Sequence, residues 1–303
     1  MRFALLNLPD VTFTSRPYQE LADEDRWILS RLSYAVATVQ THLEAYNPSA
    51  ALSTARDFFW SELCDWYLEC IKPRLRDAAQ APLVRQVLAA VIDQVLRLLH
   101  PFVPYITEAL WEPLQAQAPV RGIDAPLPAS ELLIRAAWPT SNPAWRDPAL
   151  EARMTFLQEV IRGIRDLRSK YTISPHAKVQ ARIRAAAEAA ATLRAWTDLL
   201  VTMAGLESVA IAPDMQRSPD AATVVVGSVE VSIPGVIDIA KERTRLTKQH
   251  EQLLSRVEGS RRKLANVDFL RKASAEVVQK ERDRLAESEA QIENVEATLA
   301  ALG

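Results

Sequence analysis

The feature that most constrains the fold is a long helical signal in residues 51–75, ALSTARDFFWSELCDWYLECIKPRL. Asn47 can accept hydrogen bonds as an N-cap, and Pro48 suits a first turn because the N–H that it lacks would be unpaired there. Apolar side chains then recur at steps of three or four, at Ala55, Phe59, Leu63, Trp66 and Cys70. This stripe predicts a helix that is largely buried in the middle of a bundle.

We assign five residues of this segment to the structural core: Phe59, Trp60, Asp65, Trp66 and Tyr67. Three further segments with helical periodicity surround it, at about 22–46, from Pro82 to His100, and from Pro104 onward. Alternating steps of three and four are typical of helices packed side by side. The sequence therefore predicts a helical bundle over residues 1–147, which ends in a Pro- and Ala-rich connector with a short extended piece at 132–139.

The rest of the chain predicts two smaller domains. Residues 148–236 combine a helix (151–171), a strand (178–185), a helix (186–204) and strands at 208–212, 223–226 and 229–233, which is a small α+β domain. Residues 237–303 carry heptad repeats that break at 268–274, which predicts an antiparallel coiled-coil hairpin about 45 Å long. The fold class expected for the chain is mainly α.

Composition favours a globular protein. Of 303 residues, 49% are hydrophobic and 24% charged, and no run reaches the roughly 18 apolar residues of a membrane helix. The N-terminus lacks signal-peptide features, so the cytoplasm is the expected location. The net charge is −2, so a nucleic acid would have to be bound by local basic patches.

No motif for catalysis or metal binding is present in the sequence. It contains no Gly-rich phosphate loop, no HExxH motif and no cysteine pair with zinc spacing. Cys64 and Cys70 lie six apart on one predicted helix, so they are not expected to form a disulfide. The four histidines fall in separate elements. We therefore predict no catalytic residue and no metal site.

Two basic features are candidates for binding RNA. Arg162, Arg165, Arg168 and Lys170 form a row along one predicted helix, and guanidinium groups match phosphate oxygens in geometry. A solvated helix face would show the same pattern.

The second basic feature is the hairpin. Residues 239–272 hold ten Lys/Arg against four acids, whereas residues 273–303 hold three against seven. Pairing between the two arms accounts for part of this asymmetry. Five basic residues nevertheless gather near the tip: Arg261, Arg262, Lys263, Arg271 and Lys272. A rod with a basic tip suits contacts to the backbone of a folded RNA.

Several segments resemble the valyl-tRNA synthetase family, which belongs to the class I aminoacyl-tRNA synthetases. They are CDWYLE (64–69) followed by Lys72-Pro73, RLLHPFVPYITEALWEPL (97–114), IRGIRDLRSKYTISP (161–175) and LANVDFLRKASAEVVQKERDRL (264–285). The resemblance implies an anticodon-binding bundle (1–147), a small α+β domain (148–236) and a C-terminal arm (237–303) that lies against the elbow of tRNA. It leaves open which residues contact the anticodon bases.

Complete members of that family join valine to tRNA with ATP and Mg²⁺. The two ATP-binding signatures of class I synthetases and the editing domain are absent here, so we expect a catalytically inactive C-terminal portion without a cofactor of its own. The expected partners are tRNA, with valine specificity, and the catalytic body of the same synthetase. The chain is expected to be a monomer and not to contact a membrane.

Two alternatives remain at this stage. A non-enzymatic helical protein could use the coiled coil to dimerise. The corresponding part of an isoleucyl-type synthetase would share the bundle, although the terminal hairpin argues against it.

Overall fold

A computed structural model describes residues 2–8, 13–216, 218–237, 239–266, 271 and 275–301. The chain forms two compact units, Met1–Gln158 and Glu159–Gly303. Helices predominate and one mixed sheet lies in the second unit, so the predicted fold class is confirmed.

The first unit is built mainly from helices, and those from Asp23 to Gln117 are continuous with one another or joined by short turns. They are α1 (Arg2–Leu6), α2 (Asp23–Glu44), α3 (Pro48–Asp57), a π-helix (Phe58–Tyr67), α4 (Leu68–Arg76), α5 (Ala81–Leu99) and α6 (Pro104–Gln117). The predicted start of the long helix is confirmed, because the Asn47 side chain accepts a hydrogen bond from the Ala50 N–H at 3.1 Å and Pro48 occupies the first turn.

The π-helix changes which residues of the long segment are buried. Phe58 and Leu63 are both buried although they are five residues apart, as expected where hydrogen bonds run from i to i+5. Trp66 and Tyr67 lie in the core as predicted. The core prediction is wrong for Trp60, which is 61% exposed, and for Asp65, which is exposed, and Phe59 is only half-buried.

A buried carboxylate joins α2 to the end of the long segment. Asp25 is fully buried, and its two oxygens accept hydrogen bonds from the Tyr67 hydroxyl and from Arg74 Nη2, each at 2.8 Å. Burial raises the pKa of Tyr67 well above its ordinary value, and the neighbouring Asp25 charge adds to this. The contacts also show that α2 and the long segment run antiparallel, since the start of one meets the end of the other.

A second polar network involves Arg31 of α2. Its Nε and Nη2 atoms donate to the Glu62 carboxylate at 2.7 and 2.8 Å, and its Nη1 donates to Glu151 at 2.9 Å. Burial acts to raise the pKa of Glu151, but hydrogen bonds from Ser30 and Arg31 outweigh it, so this pKa lies below its ordinary value. The network ties α2 to the π-helix and to the helix that begins at Pro148.

The connector after α6 contains little regular structure. Strands β1 (Val120–Arg121) and β2 (Leu127–Pro128) pair antiparallel, and 3-10 turns lie at Leu133–Arg135 and Pro143–Trp145. The prediction of an extended piece is therefore wrong at 133–135. The Glu108 carboxylate accepts hydrogen bonds from the Leu133 and Ile134 N–H groups at 2.9 and 3.2 Å. These two backbone groups therefore have partners without pairing to a neighbouring strand.

A four-stranded sheet organises the α+β part of the second unit. Helix α7 (Pro148–Lys170) crosses the division at residue 158 and is followed by β3 (Val179–Arg184), α8 (Ala187–Ala195), α9 (Thr197–Ala204), β4 (Leu206–Ala212), β5 (Ala222–Val226) and β6 (Val229–Ile233). The strand order is β4-β3-β6-β5, with β3 and β4 parallel and the other pairs antiparallel.

The single helix predicted over 186–204 is in fact two helices. Trp196 leaves the helical conformation, with φ −119° and ψ 31°, and its side chain is 7% exposed. The Thr197 hydroxyl donates to the carbonyl oxygens of Leu193 and Arg194, which satisfies acceptors at the end of α8. Burial of a large aromatic side chain thus favours a break in the helix here.

The last two helices form an antiparallel hairpin. Helix α10 (Ile239–Ala265) packs against α11 (Ala275–Ala301), and each of these 27-residue helices is about 40 Å long. His250 contacts Glu296 and Ser260 contacts Glu281, which fixes the opposite chain directions. The predicted heptad repeats should form a seam of side chains between the two helices, and this seam is confirmed where the structure describes it. Its buried members are Leu246, Leu253, Val257, Ser260, Ser288 and Val295.

Within the described ranges, no helix is long and apolar enough to cross a membrane, and no group of three or more His, Cys, Asp or Glu side chains could hold a metal ion. Cys64 and Cys70 are free thiols, as predicted, and burial raises the pKa of Cys70.

Candidate nucleic-acid interface

The basic row predicted on α7 divides into exposed and buried members. Arg162, Arg165 and Lys170 are exposed at the helix surface. The Nε and Nη2 atoms of Arg165 also donate to the Met203 carbonyl oxygen, at 3.0 and 2.7 Å, which holds the guanidinium in a fixed place. These three side chains can meet a phosphate backbone from one side of the second unit.

Arg168, the remaining member of the row, cannot do so in this structure. It is 6% exposed, and Nη1 donates to the Gly205 carbonyl oxygen at 2.6 Å, while Nη2 donates to the carbonyl oxygens of Ser174 and Ala177 at 2.9 and 2.8 Å. The assignment of Arg168 to RNA binding is therefore corrected. Its charge is used to hold the loop before β3 against the turn before β4. Spacing along the helix could not reveal this, because the partners are distant in sequence.

The basic residues of the hairpin tip mostly have acidic partners. Arg261 donates to Glu289 of the opposite arm at 2.7 Å, and Lys263 lies 3.5 Å from Glu281, also across the hairpin. Arg262 is highly exposed and lies 3.4 Å from Glu258 on its own helix. Arg271 is exposed, and Lys272 lies outside the described residues.

These pairs confirm that part of the charge asymmetry between the arms is used within the hairpin. Surface ion pairs contribute only about 0–1 kcal/mol each, so phosphate groups can compete for the same guanidinium and ammonium groups. Arg262 is the most accessible of the paired cations, with 80% of its side chain exposed.

Among the described residues of the first unit, the three most exposed aromatic side chains were not predicted from the sequence to lie at the surface. Tyr46 is 93% exposed, Tyr105 is 92% exposed and Trp60 is 61% exposed. Tyr46 has a left-handed backbone with φ 53°, which is uncommon for a residue other than glycine, asparagine or aspartate. The sequence does indicate that both tyrosines lie at helix ends. Tyr46 directly precedes the Asn47 cap, and Tyr105 directly follows Pro104, which begins a helix.

Tyr46 and Tyr105 lie at the same end of the helical bundle. Since α2, the long segment, α5 and α6 succeed one another through short turns and alternate in direction, the turn after α2 and the turn after α5 face the same way. Trp60 lies further along the bundle, edge-on to Phe59 with 6.1 Å between ring centroids. Exposed aromatic rings offer faces on which unpaired bases can stack.

A helical bundle that exposes aromatic rings, followed by a small sheet domain with exposed arginines, is an arrangement suited to an RNA-binding module. Residues 25–183 match the family model described as the anticodon-binding domain of tRNA ligase, and the chain belongs to this family. Residues 238–303 match a second model, the valyl tRNA synthetase tRNA binding arm, over the hairpin.

Curated relatives named valine–tRNA ligase are similar to nearly the whole chain. The Geobacter sulfurreducens protein is 38% identical over 94% of this chain, the Thermosynechococcus vestitus protein 37% over 100%, and the Rhodopirellula baltica protein 35% over 97%. The matched regions cover 32%, 33% and 29% of those relatives. The chain therefore spans about a third of the length of the curated relatives that it matches.

Proposed function

We propose that this chain is the tRNA-binding portion of a valine–tRNA ligase. The observation that carries the proposal is the order of the two matches, with an anticodon-binding domain over the bundle and α7 and a valyl-type tRNA-binding arm over the hairpin. An isoleucyl-type protein is less well supported, because the arm model that matches is the valyl one.

The proposed contacts divide between the two units. The bundle binds the anticodon stem-loop, and Tyr46, Trp60 and Tyr105 are the candidates for base stacking because their rings are exposed. In the second unit, Arg162, Arg165 and Lys170 contact the phosphate backbone. The hairpin contacts the elbow of tRNA through the basic residues near its tip, which are Arg261, Arg262, Lys263, Arg271 and Lys272.

The chemistry belongs, in this proposal, to the longer protein. That protein joins valine to its tRNA with ATP and Mg²⁺, while residues 1–303 bind tRNA without activating an amino acid and need no cofactor. The partners are a valine-specific tRNA and the catalytic body, and the location is the cytoplasm. Tight packing of α10 on α11 within one chain supports a monomer, since the seam that a dimer would use is already filled.

Fluorescence anisotropy with a valine tRNA transcript tests this function. The purified chain is titrated with the valine tRNA and with a non-cognate tRNA, at low and at moderate salt. We expect tighter binding to the valine tRNA, and the preference should persist at moderate salt. If both tRNAs bind with equal affinity and the affinity falls steeply with salt, the chain contacts only the phosphate backbone of tRNA. That result would contradict valine specificity.

The competing function, a protein that dimerises through the hairpin, predicts a different mass in solution. Sedimentation equilibrium over a hundredfold concentration range measures it. We expect the mass of one chain, 33.8 kDa, throughout. A concentration-dependent dimer that fails to bind either tRNA would overturn the proposal.

A further inference from the structure

A large cavity lies within the first unit, and Tyr46, Trp60 and Tyr105 are not among its lining residues. Its volume is about 800 Å³, and it lies between α2, α5 and the connector after α6. This volume falls in the range of roughly 300–1,000 Å³ that is typical of small-molecule sites. Much of its wall is apolar and includes Leu29, Leu32, Val36, Ile123, Trp138 and Trp145.

Four charged residues line the same cavity, one acidic and three basic, and three of them form a cluster: Asp93, Arg97 and Arg121. Asp93 accepts hydrogen bonds from Arg97 at 2.7 Å on Oδ1 and 3.2 Å on Oδ2, and Arg121 Nε lies 3.2 Å from the same Oδ2. Arg97 and Arg121 also lie over the Trp111 ring, at 5.3 and 4.1 Å from its centroid. Two guanidinium groups thus share one carboxylate, and the cluster carries a net charge of +1.

Arg121 is the member whose charge is least compensated. It is 6% exposed, and its only hydrogen bond from the guanidinium is donated by Nη2 to Gln115 at 2.7 Å, while Nη1 has no hydrogen-bond partner in the part of the chain that the structure describes. Burial lowers the pKa of Arg121 to about 10, Asp93 opposes the shift and Arg97 adds to it. A buried, incompletely paired cation is costly, so it calls for an explanation.

We propose that this cavity binds a small organic anion that has an apolar, ring-sized body and a single carboxylate or phosphate group. The anionic group would compensate the surplus positive charge of Arg97 and Arg121. The apolar body would occupy the space beside Leu29, Leu32 and Trp138. This assignment concerns a site separate from tRNA binding and does not depend on the proposed function.

The alternative ligand classes fit less well. A cation would meet two arginines and one carboxylate that is already engaged, because Asp93 accepts from Gln94 and Arg97 and lies 3.2 Å from Arg121 Nε. A neutral apolar molecule would leave the buried charge as it is. The hydroxyl groups of Ser33 and Ser141 are bonded to each other at 2.9 Å, so they add little that would favour a neutral polar ligand.

Ligand binding stabilises the native state in proportion to ligand concentration, so thermal unfolding of the full chain is a direct test. The probes are 2-naphthoate, 2-naphthyl phosphate, uncharged 2-naphthol and inorganic phosphate, at pH 7. We expect at least one of the two anionic naphthyl compounds to raise Tm and to bind at least tenfold more tightly than 2-naphthol in calorimetric titrations. The stronger of the two tells whether the site prefers carboxylate or phosphate.

Two variants locate the binding. Arg121→Met removes the charge with little loss of volume, and Ala136→Trp fills the cavity from the connector without removing charge. We expect each to reduce affinity for the preferred anion by tenfold or more. Arg56→Gln, which removes one exposed arginine of the same unit, is the matched control and should bind normally.

Three results would each overturn the proposal. These are equal binding of 2-naphthol and the anions, stabilisation by inorganic phosphate alone, and unchanged affinity in the Ala136→Trp variant. The last result remains decisive even if Arg121→Met fails to fold.

Discussion

The Arg168 guanidinium packs directly against the backbone of Gly205, with Nη1 2.6 Å from the Gly205 carbonyl oxygen. Gly205 ends α9 in the left-handed conformation, at φ 67°, and a Cβ at this position would lie 3.3 Å from Nη1. Glycine is therefore needed both for the backbone angle and for the close approach of the arginine. The pair joins the end of α7 to the start of β4.

From this arrangement we expect Arg168→Met to destabilise the second unit by about 3 kcal/mol, because three carbonyl oxygens lose the donor that a buried, charged side chain supplies. Urea unfolding followed by the fluorescence of tryptophan, including buried Trp196, measures the change. The comparison variant is Arg162→Met on the exposed face of α7, which should alter stability by less than about 0.5 kcal/mol. Comparable losses in both variants would contradict the structural role of Arg168.

Tyr67→Phe tests the buried carboxylate of the first unit. The change removes one of the donors to Asp25 and leaves the ring in place, so we expect a loss of about 1–3 kcal/mol in the free energy of unfolding. Tyr46→Phe removes a hydroxyl from a highly exposed ring and should have almost no effect. Denaturant titrations of the two variants and of the natural sequence measure these free energies of unfolding. Equal stability of the two variants would contradict the role of the Tyr67 hydroxyl.

Glu151 predicts a pH dependence of stability. Its pKa in the folded state lies below the ordinary value of 4.5, so folding favours the ionised form. The stabilisation is present above pH 4.5 and is lost as the pH falls through the lowered pKa. The difference in unfolding free energy between the natural sequence and Glu151→Gln should therefore be largest near pH 6–7 and shrink below about pH 4.5.

Unfolding titrations at several pH values between 3 and 7 provide this comparison. Asp65→Asn, which removes an exposed carboxylate of the same unit, serves as the control. If the difference in unfolding free energy between the natural sequence and Glu151→Gln is the same at every pH, the stabilisation by Glu151 does not depend on ionisation of its carboxyl group.

Trp60→Ala tests the exposed aromatic face of the bundle. Stacking of a base on an aromatic ring contributes about 1–3 kcal/mol, so tRNA affinity should fall roughly tenfold while stability hardly changes. Trp60→Phe retains a ring and should recover part of the affinity. Anisotropy titrations give both values, and full affinity in Trp60→Ala would exclude this ring from the interface.

Arg261→Glu combined with Arg262→Glu tests the hairpin. Loss of two phosphate contacts should lower the slope of log affinity against log salt by about 1.5. Arg282→Glu combined with Arg284→Glu, on the acidic return arm, is the matched charge change and should have a smaller effect. Identical slopes for the natural sequence and the tip variant at two or more salt concentrations would remove the hairpin from tRNA binding.

Patterns among residues that are close together in the sequence predicted much of this fold. The Asn47 cap depends only on the next few residues, and the seam marked by Leu246, Leu253 and Val257 depends on a repeat that is visible along one helix. Both therefore appear in the structure where they were expected. Strand positions in the second unit were also predicted to within about two residues, because alternating burial is a local pattern as well.

The candidate site was less predictable because it depends on contacts between distant residues. Arg168 has the same local spacing as Arg162, yet its carbonyl partners lie up to 37 residues away. Arg121 meets Asp93 only after the connector folds back on α5, so the charge imbalance in the cavity has no signal in the sequence. Trp60 was misplaced because it was counted as an apolar residue at the edge of the buried stripe, and which edge of a helix is covered depends on its neighbours in the bundle.

The π-helix of the first unit also determines how the long segment should respond to a deletion. In an ordinary α-helix, residues five apart lie about 140° apart around the axis, whereas turns that close from i to i+5 bring Phe58 and Leu63 to the same buried face. Deleting one residue between Phe59 and Glu62 would leave Phe58 and Leu63 four residues apart, a spacing that ordinary α-helical turns keep on one face. The shortened segment should therefore form a regular α-helix that retains both core side chains.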